Sequence, residues 1–239
     1  MITHTLNEIA YSIWNTVRPH ITDDDPIDIR SIKDYIHTYR AKYIKQNLEK
    51  HSHYIDPSII QNLQSVEMEF TDSSENSTYT TEYNMLRTTE EIPHVISLYT
   101  NESMFTRIAP ADRLSSNFCF TTHEMAINGG NLRFNDHQIF AFLLDNRIYL
   151  YSKSNESWKG IKYINIQGIF QNPVDVWRFT DPTTYHTFDE TINYPLNKTM
   201  RSDIEKEILK DKFNIILQAP IDDTNDGTHS LNSQEDERK

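Results

Sequence analysis

The spacing of apolar residues changes once along the chain, near residue 64, and this change limits the folds open to the sequence. Before that point apolar residues recur every three or four positions, which is the period of an α-helix with one buried face. After it, Val66, Met68 and Phe70 alternate with two glutamates, which is the period of a β-strand. Helical and strand-like patterns in separate segments predict an α+β fold.

Three helices are predicted before the change. The first begins at Thr5, which forms a capping-box pattern with Glu8, and ends before Pro19. The second spans 26–50, and a third, short helix spans 57–63; both begin at an Asp-Pro pair, which favours a helix start. The apolar stripe of the second helix consists of Ile29, Ile32, Ile36, Tyr39 and Tyr43.

The region 65–193 predicts an antiparallel β domain. Turn sequences at 128–131, "NGGN", and at 145–146, Asp-Asn, separate strand-like runs as hairpins. An irregular stretch containing Pro173 and Pro182 follows the last strand. The predicted strands are Tyr79–Leu86, Val95–Leu98, Met104–Ile108, Phe118–Thr121, Met125–Ile127, Leu132–Phe134, Gln138–Leu144, Arg147–Ser152 and Tyr163–Phe170.

The C-terminal region 194–239 becomes helical again. Asn197 is the predicted cap of a helix that ends near Lys212, and "FNIILQ" after it predicts one strand. From Pro220 the sequence is polar and acidic, which predicts an extended arm that is disordered on its own. The expected organisation is therefore an N-terminal helical hairpin with a short third helix in 1–64, a central β domain, and a C-terminal helix that packs back on the first helices.

The charge of the chain is unevenly distributed. The chain carries a net charge of −12, but residues 30–50 hold six basic and two acidic residues, a net +4, so the remainder sums to −16. This basic segment is interpreted as a solvated face, a protein-binding surface or a DNA-binding module. DNA binding draws on cations that neutralise phosphates, and the acidic remainder opposes it. The basic residues predicted to face solvent or a partner are Arg30, Lys33, Arg40, Lys42 and Lys45.

Catalytic signatures are missing from the sequence. It contains no GxSxG, P-loop, GxGxxG or CxxC motif, so we expect neither an enzyme nor a cofactor. The best metal candidate is His51, His53 and Asp56, which keeps a metal-dependent hydrolase as an alternative. The acidic run 23–25 is explained as a helix start, where carboxylates favour the helix dipole. The single cysteine, Cys119, is predicted to be a small buried hydrophobe.

Membrane insertion and export are not predicted. The longest apolar run, Ile139–Leu144, is far shorter than the ~20 residues that a membrane-spanning helix needs. The N-terminus lacks the basic-then-apolar layout of a signal peptide. We therefore expect a soluble protein that is made in the cytoplasm.

Several segments, in this order and spacing, resemble one known family. They are "DDDPIDIRSIKDYIHTYRAKYIKQ", "PHVISLY", "FTRIAPADR", "RIYLYS", "IQGIFQNPVDV" and "YPLNKTMRSDIEKEILKDKFNIILQAPIDDTND". Together they resemble the head-to-tail connector, or ring, proteins of crAss-like short-tailed bacteriophages, over residues 9–226. The resemblance implies a structural virion protein in the neck between the capsid portal and the tail.

The resemblance also implies the partners of the chain. Twelve copies would form a ring beneath the portal protein, contact neighbouring ring or tail proteins, and let genomic DNA pass through the lumen without sequence-specific binding. A ring needs two unlike, complementary surfaces on each copy, which the basic helix and the acidic remainder would supply. The positions that match the family's closing motif, and would dock on the portal, are Tyr194, Pro195, Leu196, Phe213, Ile215, Leu217 and Pro220.

Overall fold

The computed structural model describes residues 4–20, 27–50, 55–71, 85–98, 103–112, 116–129, 135, 138–152, 159–180 and 192–214. Within these residues the chain forms five α-helices and a seven-stranded sheet, so the predicted α+β class is confirmed. The helices are α1 Leu6–Val17, α2 Ile29–Lys50, α3 His123–Gly129, α4 Pro173–Thr180 and α5 Lys198–Phe213. The strands are β1 Gln61–Phe70, β2 Leu86–Thr88, β3 Phe105–Pro110, β4 Cys119–Phe120, β5 Phe140–Leu144, β6 Arg147–Tyr151 and β7 Tyr163–Gly168.

Helices α1, α2 and α5 pack around one apolar core. The capping box predicted at the start of α1 is confirmed: Thr5 Oγ1 accepts from the Glu8 N–H, and Glu8 Oε2 accepts from the Thr5 N–H. The cap at Asn197 and the packing of the C-terminal helix on the first two are also confirmed. The fully buried side chains of this core include Leu6, Ile9, Ile13, Val17, Ile32, Ile36, Ile44, Ile204 and Ile208.

The seven strands form one sheet in the order β3-β7-β1-β2-β6-β5-β4, antiparallel except for the β4–β5 pair. The two outer strands come together, because the Phe118 N–H donates to the Ile108 carbonyl at 2.8 Å. The rings of Phe105 and Phe120 also meet edge to face, 4.9 Å between centroids. These two contacts bring the edges of the sheet together over a second apolar core. Its members include Leu63, Val66, Leu86, Ile108, Ile148, Leu150, Ile164, Ile166 and Phe170.

The hairpin at 145–146 is confirmed. Asp145 and Asn146 both have positive φ, 49° and 58°, which a two-residue hairpin turn requires and which Asp and Asn tolerate better than other residues. The turn joins β5 to β6 in regular antiparallel register from Phe140–Tyr151 to Leu144–Arg147.

The short third helix predicted at 57–63 is wrong. Only a 3-10 turn, Pro57–Ile59, forms there, and β1 already begins at Gln61. The Asp-Pro pair does start a helical turn, because Asp56 Oδ1 accepts from the Ser58 N–H, but Ile60 is already extended with φ −77° and ψ 131°. Within β1 a bulge at Ser65, whose φ is 55°, lets Leu63 and Val66 both face the core although they stand three apart.

Two further elements differ from prediction. The "NGGN" hairpin is wrong at its first strand, because 123–129 is helix α3, with Thr122 Oγ1 accepting from the Met125 N–H near its start. The irregular stretch after β7 begins instead with helix α4, where Pro173 is the first residue and Asn172 Oδ1 accepts from the Val174 N–H. Residues 130–134 and Pro182 lie outside the described residues.

Of the remaining predicted strands, three form and one does not. The predicted strands at 104–108, 118–121 and 163–170 correspond to β3, β4 and β7, whereas 95–98 forms isolated bridges only. Leu86, the last residue of the predicted strand 79–86, begins β2, and 79–84 lies outside the described residues.

Two predictions about single side chains are wrong. Cys119 is exposed, because neighbouring residues of a strand point to opposite sides and Phe118 takes the inward position. Phe213 ends α5 and begins no strand, since Asn214 adopts a left-handed conformation that stops the helix. The other residues of "FNIILQ" lie outside the described residues.

No helix in the described part of the chain is long and apolar enough to cross a membrane.

We predict that Ile36→Asp unfolds the helical bundle. Ile36 is fully buried between α2 and its neighbours, so the variant loses the ~2–5 kcal/mol typical of emptying such a site and also buries a charge. Urea unfolding followed by circular dichroism measures the change in the free energy of unfolding. Gln46→Asp on the exposed face of α2 is the matched control and should stay within about 0.5 kcal/mol of the parent. Equal stability of the two variants would contradict the prediction.

Candidate functional site

Arg40 is the most buried of the candidate cations, and the prediction that it faces solvent or a partner is wrong. Its side chain has 0% exposure. Nε donates to the Pro195 carbonyl at 3.1 Å, Nη1 donates to the Phe170 carbonyl at 2.8 Å, and the guanidinium lies 5.8 Å from the centroid of the Tyr194 ring. The reason is positional, since residue 40 lies one helical turn from both Ile36 and Ile44 and thus shares their buried face.

No carboxylate among the described residues forms an ion pair with the guanidinium of Arg40. Burial lowers the pKa of the guanidinium, and the neighbouring Tyr194 opposes that shift. An arginine stays protonated even so, because its ordinary pKa lies above 12. Nη2 has no hydrogen-bond partner among the described residues. Two backbone carbonyls and one aromatic face therefore provide most of the stabilisation of this buried cation.

The first residues of the predicted docking motif surround Arg40. Tyr194 is buried, its hydroxyl lies 2.8 Å from His37 Nδ1, and its N–H donates to the His4 carbonyl. Pro195 and Leu196 are half-buried, as is Phe213, which meets the ring of Tyr35 edge to face. Ile215, Leu217 and Pro220 lie outside the described residues. Portal docking by this motif stays a prediction.

Lys42 pairs with acidic residues of its own chain. Its Nζ lies 2.6 Å from Glu207 Oε1 and 3.9 Å from Asp211 Oδ2 on α5, and the hydrogen bond to Glu207 raises the pKa of the lysine. Tyr39 and Tyr43 of α2 likewise donate to Asp211 and Asp203. Part of the basic charge of α2 is thus balanced by acidic residues of α5.

The other three candidates of α2 differ in exposure. Arg30 is exposed near the start of the helix, whereas Lys33 and Lys45 are half-buried. The five candidate cations therefore do not form one continuous outward surface, and their binding of a partner stays a prediction.

The outer face of α5 carries cations that sequence reasoning missed. Lys198, Lys206 and Lys210 are all exposed. The acidic residues 203, 207 and 211 stand on the side that faces α2, so the two kinds of charge occupy different sides of one helix. The four-residue spacing in "KTMRSDIEKEILKDK" contains this signal, because residues four apart lie on one side of a helix.

Comparison with known families now identifies the class of the protein. The model of the family described as "Phage tail ring protein 2" matches residues 8–237, nearly the whole chain. The chain belongs to this family. The resemblance to ring proteins of crAss-like phages is thereby confirmed, and the chain is a structural component of the phage virion that assembles with other copies and with tail proteins. Comparison with curated protein sequences finds no match.

Of the three residues proposed to bind a metal, Asp56 lies within the described residues. It has a structural role in this ring protein. Its Oδ1 accepts from the Ser58 N–H, and its Oδ2 accepts from Asn197 Nδ2 at 2.8 Å. Asn197 in turn accepts from the Met200 N–H and so caps α5. His51 and His53 lie outside the described residues, and no cluster of three metal-ligating side chains occurs among those described.

We predict that Arg40→Ala destabilises the ring protein by at least about 2 kcal/mol, because each carbonyl left buried and unpaired costs ~1–3 kcal/mol. Arg40→Lys should also destabilise it, since one ammonium cannot reproduce the planar fork of the guanidinium. Urea unfolding measures both, with the exposed Arg30→Ala as the control. A loss of stability in Arg40→Ala no larger than in the control would contradict the role of Arg40.

We predict that Asp56 contributes pH-dependent stability. The hydrogen bond from Asn197, and next that from the Ser58 N–H, lower the pKa of Asp56 below its ordinary value of 3.8. Because the folded pKa is the lower one, the contribution is complete above about pH 4 and is lost as the pH falls through the folded pKa. Asp56→Asn should therefore cost more stability at pH 7 than at pH 3 in urea unfolding.

The exposed Asp34→Asn is the matched control for this pH dependence, and its effect on stability should differ less between the two pH values. An effect of Asp56→Asn that is equal at pH 7 and pH 3 would show that the carboxylate of Asp56 is not what Asn197 binds.

Proposed function

We propose that the chain forms a ring at the junction of portal and tail, docks on the portal protein and extends the DNA channel toward the tail. The observation that carries this proposal is the family match over residues 8–237, which makes the chain a ring protein of the phage tail. The portal location comes from the resemblance to head-to-tail connectors, as does a ring of twelve copies that contacts neighbouring ring or tail proteins. We propose no catalytic role, in keeping with a structural family.

The charge of the chain supports the channel part of the proposal. With a net charge of −12, a ring of such chains gives passing DNA few cations to bind. Arg40 is buried and Lys42 is paired with Glu207, so two of the five cations proposed for DNA contact in α2 are engaged within the chain. This favours a lumen that DNA crosses without sequence-specific binding.

Ring formation itself requires one heterologous interface, repeated until the ring closes. Of the five candidate cations of α2, Arg30 is exposed and Lys33 and Lys45 are half-buried, whereas Arg40 is fully buried. We propose that Arg30, Lys33 and Lys45 contribute to contacts with another copy or with the portal.

We predict that mixing the purified chain with its cognate portal produces a ring-sized complex. Mass photometry at low and moderate salt measures the masses of the chain, the portal and the mixture. The expected result is a jump from about one chain to a portal-bound assembly. An intact portal that gains no mass under either salt condition would overturn the proposal.

A charge-reversed chain, Arg30→Glu with Lys33→Glu and Lys45→Glu, tests the proposed α2 contacts in the same assay. Weaker association at low salt is expected, with circular dichroism as the check that the variant is folded. Association as strong as that of the parent would remove these three residues from the interface and leave the ring proposal intact.

A further inference from the structure

Helix α5 presents a positive stripe on its outer face. We define this lysine stripe as Lys198, Lys206 and Lys210, which span about 18 Å at 1.5 Å per residue. All three are exposed, and Ser202 completes the row of positions four apart. Within the described part of the chain, no ion pair or hydrogen bond engages their ammonium groups.

Neighbouring acidic residues do not neutralise the stripe. Asp203, Glu207 and Asp211 face α2, where they accept from Tyr43, Lys42 and Tyr39. Glu205 pairs with Arg201 at 2.7 Å. The acidic side chains of α5 are thus engaged elsewhere in the chain. An outward positive surface remains on a protein of strongly negative net charge.

The sequence after α5 supplies the opposite charge. Residues 222–237 contain six acidic residues and no lysine or arginine, a net charge of −6 with histidine neutral. Seven residues, 215–221, separate this acidic segment from Asn214, the last described residue. At ~3.3 Å per residue the 23 residues from 215 to 237 reach up to about 75 Å when extended, which is enough to reach an adjacent copy.

We propose that the acidic segment, residues 222–237, of one copy binds the lysine stripe of α5 in an adjacent copy of the ring. The inference rests on ring formation in the proposed function and adds the pair of surfaces that mediates it. A closed ring needs two unlike surfaces on each copy, and a basic stripe with an acidic segment is such a pair. Binding within one chain would cover both surfaces and leave neither for a neighbour.

The contact is expected to be sensitive to salt. The stripe lysines are exposed, and single exposed ion pairs are weak and are screened at moderate ionic strength. A ring repeats the contact at every junction, so weak pairs add up once other contacts hold the copies together. The acidic segment therefore reinforces a ring and does not replace the other contacts.

Zero-length carbodiimide cross-linking of the full chain tests the proposal. A 1:1 mixture of unlabelled and ¹⁵N-labelled chains is cross-linked at low salt, at high concentration without portal and again with portal. Peptides that join a stripe lysine to a carboxylate of 222–237 are then identified by mass spectrometry. The expected result is that about half of them join labelled to unlabelled chain, and that 0.5 M salt reduces their yield several-fold.

Two results would overturn the proposal. Cross-links that never join labelled to unlabelled chain would show that the acidic segment binds the α5 of its own chain, and no stripe cross-links in either sample would show that it binds elsewhere. Loss of portal association with mixed-label cross-links retained would instead contradict the proposed portal docking alone. The two failures are therefore distinguishable.

A matched pair of variants distinguishes an effect of the stripe lysines from an effect of the net charge. Lys198→Glu with Lys206→Glu and Lys210→Glu should lower the yield of ring, measured by mass photometry with portal at low salt. Reversal of three exposed cations elsewhere, Arg18, Lys50 and Lys162, changes the net charge equally and should lower the yield of ring much less. Equal effects of the two variants would overturn the proposal.

Duplex DNA is the alternative ligand for the lysine stripe. Fluorescence anisotropy with a short labelled duplex at low salt should show equally weak binding by the parent and by the stripe variant. Binding by the parent that the stripe variant loses would overturn the proposal and assign the lysines to phosphate contact.

Discussion

The buried guanidinium of Arg40 is the interaction on which the relation between the two cores depends. It extends from α2 in the helical core and bonds the carbonyl of Phe170, whose side chain belongs to the core of the sheet. It also bonds the carbonyl of Pro195, just before α5 begins. A buried cation stabilises a fold only when its donors meet acceptors, so the three segments must adopt one arrangement for Nε and Nη1 to be satisfied. Arg40 thus joins the bundle to the sheet, together with apolar residues such as Ile96 and Ile169 that pack in the helical core.

The long basic helix has two electrostatic roles inside the chain. One cation, Arg40, joins backbone segments in the interior, and another, Lys42, meets Glu207 on the adjacent helix. Because Tyr39 and Tyr43 also donate to acidic residues of α5, the acidic side of that helix faces inward along much of its length. Charge complementarity between α2 and α5 therefore leaves the lysines of α5 on the outside. The surface charge available to a ring neighbour is a consequence of packing within the chain.

The two outer strands of the sheet, β3 and β4, lie close to each other. Outer strands with unpaired backbone groups are ready to pair with another chain. Here β3 bonds the segment of β4 through Phe118 and Ile108, so the two outer strands satisfy part of each other's hydrogen bonding. Among the described residues, these two strands therefore offer fewer unpaired backbone groups to another chain than two fully open edges would.

By itself the sequence determined the helices α1, α2 and α5, the 145–146 hairpin and the α+β class, because local periodicity, caps and turn residues encode them. It also carried the family resemblance. Only the tertiary structure decided that Arg40 is buried, that Ser65 forms a bulge and that Cys119 points outward, since each depends on residues distant in sequence. Residue 40 could be suspected from its position between Ile36 and Ile44, but its acceptors at 170 and 195 are more than a hundred residues away. Local patterns define elements, whereas the surface that is left for a partner depends on how those elements pack.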